Sequence, residues 1–191
     1  MNQQAEYSAT AKLLHWLIAC FVIALLASAF TMTRVSGFQP KFQLYQLHKS
    51  MGVTVLGLMI VRVLWRLFVK PPALPSHMPA WEKAAAQGTH LILYTLLILL
   101  PLSGWEFVSV ASLNIPTLLY GYIEWPHIPT LAELSTETKK TIEPLVKNAH
   151  ATMGWVLLIL VILHIAAALR HSLILKDGVM LRMLPRFFRA S

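Results

Sequence analysis

The chain is poor in cysteine and in charged residues, and each shortage excludes some classes of site or of protein. Cys20 is the only cysteine among 191 residues. An internal disulfide, a cysteine-based zinc or iron–sulfur site and covalent c-type haem attachment are therefore excluded. Charged residues make up 13% of the chain and hydrophobic residues 57%, with a mean hydropathy of +0.61. This composition is not that of a soluble globular domain and is typical of a protein that crosses a membrane several times.

Acidic residues are scarce as well, since eight Asp and Glu stand against sixteen Lys and Arg, giving a net charge of +8. Such an excess can indicate nucleic-acid binding, but here the basic residues flank apolar runs, so we predict a lipid membrane and no nucleic acid as the partner. If the N-terminus is inside, ten of the sixteen Lys and Arg lie on the inner side. The positive-inside rule then predicts that both termini are cytoplasmic.

Four apolar runs are each close to the ~20 residues that a membrane-spanning helix needs. They cover about residues 13–32, 47–68, 90–110 and 150–170, and a longer outer segment, 111–147, precedes the last of them. We therefore predict an all-α membrane protein, with residues 1–191 forming one domain built as a four-transmembrane-helix bundle. The basic and apolar residues 180–188 are predicted to lie on the inner membrane surface.

Histidines recur at matched depths in these runs. His150 and His164 lie fourteen residues apart in the last run, which puts them on one helix face and roughly 21 Å apart along the axis. His48 opens the second run at the outer level, and His15 begins the first run at the inner level. Imidazole inside a membrane is costly and usually functional. We therefore predict two metal centres, an outer one held by His48 and His150 and an inner one held by His15 and His164.

Haem iron suits these ligands better than zinc does. Two neutral imidazoles from different helices can occupy both axial positions of an iron, while the porphyrin fills the space between the helices. Zinc would require four ligands in a tight tetrahedron, and no cysteine or carboxylate lies near these histidines in the sequence. Two alternatives stay open: His90 in place of His15 as the inner ligand, and a transporter that uses histidines in a proton path.

Glycine and arginine positions add to this pattern. Gly52 follows His48 by four residues and Gly154 follows His150 by four, so each lies one turn deeper on the same helix face. A missing side chain there would leave room for a flat macrocycle, although close helix packing is the alternative explanation. Arg62 falls at the depth of the inner centre, where a haem propionate is the predicted anionic partner.

These residues resemble the bacterial cytochrome b561 family, which also includes the b-type membrane subunits of nickel hydrogenases and formate dehydrogenases. The resemblance covers nearly the whole chain and implies a four-helix bundle enclosing two non-covalent b haems, together with electron exchange with ubiquinone in the bacterial inner membrane. The matching residues are His15-Trp16, His48 to Gly52, Val61 to Arg66 with Pro71-Pro72, His90-Leu91 with Tyr94, His150 to Gly154, His164 to His171, Lys176-Asp177 and Leu181 to Met183.

The compact length suits the stand-alone branch of this family, some of whose members oxidise superoxide and pass the electron to quinone. A basic rim at the outer end could steer superoxide, or its lysines could only contact lipid head groups; its members are Lys49, Lys139, Lys140 and Lys147. The quinone candidates at the inner end are His171, His90 and Arg170. The alternative function is a haem anchor that relays electrons from a periplasmic dehydrogenase or hydrogenase. His77 and His127 are predicted to be ordinary surface residues.

Overall fold

Four long helices dominate the computed structural model, which describes residues 6–76 and 78–185. They are α1 (Ala9–Met32), α2 (Phe38–Phe68), α3 (Ala80–Val110) and α5 (Thr136–Leu169), with a single turn, α4 (Pro129–Ala132), before the last. Each long helix contains a stretch that is long and apolar enough to cross a membrane. The predicted helical membrane fold with four spans is therefore confirmed.

The helices extend beyond the apolar runs because polar residues continue them outside the hydrocarbon core. Ser135 caps α5 by accepting a hydrogen bond from the Thr138 N–H at 3.2 Å. This helix begins at Thr136, so the end of the outer segment 111–147 is helical and continues into the fourth span. Helices α2 and α3 likewise begin before their apolar runs, at Phe38 and Ala80. About one-quarter to one-third of each helix therefore precedes its apolar run.

A short antiparallel hairpin between α3 and α4 was not predicted from the sequence. Its strands are β1 (Thr117–Leu119) and β2 (Ile123–Trp125). The Gln46 side chain of α2 holds β1 in place, because its Nε2 donates to the Pro116 carbonyl at 2.8 Å and its Oε1 accepts from the Leu118 N–H at 3.0 Å. The hairpin therefore covers part of α2 at the outer end of the bundle.

The packing order of the long helices leaves a gap. Helix α1 packs on α2, α2 on α3 and α3 on α5, whereas within the described residues α5 makes few or no close backbone contacts with α1 and α2. Closely packed helices lie about 8–10 Å apart, so α5 stands farther from the α1–α2 pair. An apolar core at mid-depth joins the helices: Ile18, Val22, Val55, Met59, Leu93, Leu96 and Leu157.

The outward faces of the long helices are apolar and exposed. This is the arrangement expected of a bundle whose surroundings are lipid tails and not water. The protein is therefore embedded in a membrane, in contact with lipid. Exposed side chains of this kind include Leu13, Ile23, Ile60, Leu64, Leu91, Ile159, Ile162 and Leu163.

The C-terminal segment folds back over one end of the bundle, which we call the inner end. There the Trp16 indole N–H donates to the Met183 carbonyl at 3.1 Å, and the Arg182 guanidinium donates to the Ala73 carbonyl at 2.7 Å. Residues 180–185 thus lie beside the start of α1, and their position on the inner membrane surface stays a prediction. The predicted surface position of residues 186–188 and of His77 falls outside the described residues.

Candidate metal centres

The outer histidine pair crosses the gap between α2 and α5. The ring centroids of His48 and His150 lie 6.4 Å apart, with ring planes at 78°. Two metal–nitrogen bonds of ~2.0 Å and two ring radii of ~1.1 Å place the centroids of opposed imidazoles roughly 6.2 Å apart. The spacing of this pair therefore fits one metal ion held between the two rings.

The inner pair has nearly the same geometry. The ring centroids of His15 on α1 and His164 on α5 lie 6.3 Å apart, with ring planes at 68°. His90 on α3 is closer to His164, at 5.5 Å, and its Nδ1 donates to the Ala86 carbonyl at 2.7 Å. Of the two candidate partners for His164, His15 has the spacing of the outer pair, and His90 is a third imidazole beside the inner pair.

Two serines determine which ring nitrogen of each outer histidine faces the gap. Ser28 donates its proton to the Leu25 carbonyl at 2.8 Å, so its oxygen accepts from His48 Nδ1 at 2.9 Å. Ser103 repeats the arrangement: it donates to the Leu100 carbonyl at 2.8 Å and accepts from His150 Nδ1 at 2.9 Å. With the proton held on Nδ1, each ring keeps an unprotonated Nε2, the form that binds a metal.

The apolar core separates the two pairs along the bundle axis. Leu157 is 5% exposed and lies midway along the sequence between His150 and His164. Val22 and Val55 of α1 and α2 belong to the same buried cluster. The two histidine pairs are thus separate, one on each side of an apolar layer.

Comparison with known proteins agrees with this arrangement. The family model described as prokaryotic cytochrome b561 matches residues 6–186. The chain belongs to the prokaryotic cytochrome b561 family. This is a family of helical membrane proteins that bind b haem and take part in electron transport.

Relatives in two bacteria match over almost their whole length. Cytochrome b561 homolog 2 of Escherichia coli (strain K12) is 31% identical over 97% of this chain and 94% of its own length. Cytochrome b561 homolog 1 of the same strain is 29% identical over 95% and 98%. A protein of Yersinia pestis named probable superoxide oxidase CybB is 30% identical over 95% and 97%.

Three glycines near the histidine pairs differ in how much open space surrounds them. A Cβ added at Gly52 or at Gly154 would meet no atom within 4 Å, whereas one at Gly104 would lie 3.2 Å from His150 Cε1. In the described part of the chain no neighbouring helix packs closely against the first two positions, and Gly57 is equally open, so a macrocycle beside Gly52 and Gly154 stays a prediction. Gly104, by contrast, allows the His150 ring to lie against α3.

Arg62 lies beside the inner pair with two neutral partners. Its Nε donates to the Tyr94 hydroxyl at 2.8 Å, and its Nη1 donates to the Ala11 carbonyl, one helical turn from His15, at 3.2 Å. Within the described part of the chain no carboxylate forms an ion pair with it. A haem propionate therefore remains the predicted partner of this cation.

Only some of the lysines in the predicted basic rim are exposed at the surface. Lys140 and Lys147 are exposed and Lys49 is partly buried. Lys139 departs from the expectation: it is 8% exposed, and its ammonium donates to the Ala132 carbonyl at 2.6 Å. The turn α4 holds this carbonyl against α5, so the charge of Lys139 is fixed and not mobile.

His127 is not the ordinary surface residue that the sequence predicts. Its Nδ1 lies 3.2 Å from the Asn114 Oδ1, while its Nε2 is buried without a hydrogen-bond partner among the described residues. Burial lowers the pKa of His127, and the nearby charges of Lys49 and Lys139 lower it further, with Glu124 opposing them. At neutral pH this imidazole is therefore uncharged.

At the inner end, the quinone candidates have partners of their own. His171 Nδ1 lies 2.5 Å from the Asp177 carboxylate, with both side chains largely buried, and Arg170 pairs with Glu82 at 3.0 Å. His171 belongs to a π-helical turn, Arg170–Leu175, that ends α5; such turns often occur at functional sites. Sequence analysis did not assign a role to Asp177, because its contact with His171 depends on this unusual turn.

Replacing Ser28 with alanine should weaken haem binding at the outer pair. The variant removes the acceptor that keeps the proton of His48 on Nδ1, and such partners typically contribute about tenfold or more to metal affinity. The rate of haem transfer to apomyoglobin measures the effect. Thr31→Ala is the control, because its hydroxyl bonds the Ala27 carbonyl of its own helix. Equal transfer rates for both variants would contradict the role of Ser28.

Replacing Gly104 with alanine should disturb the outer centre without removing a ligand. The new methyl group would lie 3.2 Å from His150 Cε1, so the ring must shift by a few tenths of an ångström. We expect altered axial-ligand signals in the electron paramagnetic resonance spectrum of one haem. Gly57→Ala is the control, since its Cβ would meet nothing within 4 Å. An unchanged spectrum in the Gly104 variant would show that the close contact has no effect.

Proposed function

We propose that this cytochrome b561 holds two b haems, one between His48 and His150 and one between His15 and His164. One observation carries the proposal: two imidazole pairs cross the same gap with centroid separations of 6.4 and 6.3 Å. Iron with imidazole at both axial positions has no open site, so such haems supply one-electron transfer and not oxygen binding. The proposed function is therefore electron transfer across the membrane.

The residues around the two centres support this assignment. Ser28 and Ser103 hold the Nδ1 protons of the outer ligands. Gly52 and Gly154 leave open space beside them. Arg62 would pair with a propionate of the inner haem, because a guanidinium is well suited to a carboxylate. Each residue thus has a physical reason to be present.

The depth of the two pairs suggests the path of the electrons. His150 and His164 are separated by fourteen residues, roughly 21 Å of a ~30 Å hydrocarbon core. The excess of Lys and Arg at the inner end favours a bacterial inner membrane with both termini in the cytoplasm. The outer pair then lies near the periplasm and the inner pair near the cytoplasm.

Superoxide is the electron donor that we propose at the outer end. Each of two superoxide ions would lose one electron and become dioxygen, and one ubiquinone would take both electrons and two protons to become ubiquinol. The Yersinia pestis relative is named a probable superoxide oxidase. Lys140 and Lys147 offer exposed positive charge at this end, and the fixed charge of Lys139 adds to the field that attracts a small anion.

Ubiquinone is the acceptor that we propose at the inner end. Asp177 accepts the Nδ1 proton of His171, which would orient the ring and leave Nε2 to hydrogen-bond a quinone oxygen and pass a proton to it. His90 is the second candidate, because its Nδ1 is bonded to a carbonyl of its own helix and its ring lies 5.5 Å from His164. Arg170 is the weakest of the three, since Glu82 already engages its charge.

Stopped-flow mixing with superoxide and a quinone analogue tests this function. Lys140→Gln/Lys147→Gln should slow haem reduction by about threefold to tenfold at low salt and flatten its dependence on ionic strength, because superoxide is an anion. Lys83→Gln/Lys176→Gln, with the same loss of charge at the inner end, is the control. Identical rates for the two variants would mean that the outer lysines only contact head groups.

A second arm of this experiment separates the donor from the acceptor. His171→Gln should leave haem reduction by superoxide unchanged but slow re-oxidation by the quinone analogue. If superoxide does not reduce the protein at all, the chain is better described as a haem relay for a periplasmic dehydrogenase or hydrogenase. If re-oxidation is unaffected in the His171 variant but slow in His90→Gln, the quinone is bound beside His90.

A further inference from the structure

A groove at the inner end gathers positive charge that the proposed electron path does not use. It lies between the start of α1, the end of α2 and α3, and its wall contains Arg62, Arg66, Lys70, Tyr7, Trp65 and Tyr94. Three of its lining residues are cations and none is a carboxylate. Arg66 and Lys70 also form no ion pair with a carboxylate within the described part of the chain.

Arg62 and Arg66 lie one helical turn apart on α2, and Lys70 follows shortly after this helix ends at Phe68, so the three cations line one wall of the groove. Like charges at this spacing repel one another. Arg66 nevertheless does not extend away from Arg62: both guanidinium groups lie over the same Tyr94 ring, at 5.4 and 5.5 Å from its centroid. The contacts with the Tyr94 ring offset part of this repulsion, and an anion bound beside the two guanidinium groups would offset more of it.

The inner haem site accounts for Arg62 alone. The Arg62 guanidinium bonds the Ala11 carbonyl, one turn from His15, whereas Arg66 lies about 6 Å farther along the helix axis and Lys70 lies beyond the end of α2. These two residues are at the level where α2 leaves the membrane, since the helix ends at Phe68. Both side chains are exposed there, so they are free to bind a second anion at the membrane surface.

We propose that Arg66 and Lys70 bind the phosphate of an anionic phospholipid in the leaflet at the inner end. A guanidinium can bind a phosphate with two parallel hydrogen bonds, and basic grooves between membrane helices are suited to such head groups. Trp65, whose indole N–H bonds Ser8 Oγ at 3.0 Å, and Tyr7 supply the aromatic side chains typical of this level. The exposed side chains of Leu64 and Phe68 provide an apolar surface for the acyl chains.

Binding of phosphatidylglycerol to the purified haem-loaded protein, measured by native mass spectrometry, tests the proposal. Wild type should bind it at least about tenfold more tightly than phosphatidylcholine. Arg66→Gln/Lys70→Gln should lose that preference. Arg34→Gln/Lys41→Gln is the matched control: it removes the same charges at the outer end, and Arg34 also lies over an aromatic ring. Equal loss of the preference in both variants, or in neither, would overturn the proposal.

Two further measurements distinguish the source of the anion. Inorganic phosphate and glycerol 3-phosphate should not compete with phosphatidylglycerol at equal concentrations; full competition would mean a site for soluble phosphate. Haem content and the two reduction potentials should be the same in Arg66→Gln/Lys70→Gln as in wild type. If either changes, the groove holds a haem carboxylate and not a lipid. The outcome does not depend on whether superoxide or ubiquinone is the substrate.

Discussion

The spacing of opposed imidazoles across the gap beside α5 is the constraint on which the structure depends. A metal ion held by two opposed imidazole nitrogens would fix the separation of the ring centroids near ~6.2 Å, and the two pairs lie close to it, at 6.4 and 6.3 Å. For both pairs to have this separation, α5 must stay apart from α1 and α2 while still packing on α3. The apolar core at mid-depth keeps this width between the two levels.

In the outer pair, a serine hydroxyl hydrogen-bonds the Nδ1 atom of each histidine ring. Ser28 and Ser103 lie on different helices, yet each donates to a carbonyl of its own helix and accepts from a histidine Nδ1. A hydroxyl can make both bonds at once, so no charged group has to be buried to orient the ligand. The geometry thus favours neutral imidazole, which a lipid-surrounded bundle also requires.

Hydropathy and histidine spacing predict the four spans and the two pairs, because both follow from helix periodicity along single segments. The hairpin could not be predicted in this way, since Gln46 holds it from a distant helix. Ser28, Ser103 and Gly104 were missed for the same reason: their contacts with His48 and His150 appear only when the four long helices are packed together. Lys139 and His127 look like surface residues until α4 and the preceding loop enclose them.

Anomalous diffraction at the iron absorption edge, from crystals of the haem-loaded protein, tests the central claim most directly. The account predicts two iron peaks roughly 21 Å apart along the bundle, one between His48 and His150 and the other between His15 and His164. A single peak would contradict the assignment of two haems. An inner peak between His90 and His164 would contradict the assignment of His15 as a ligand.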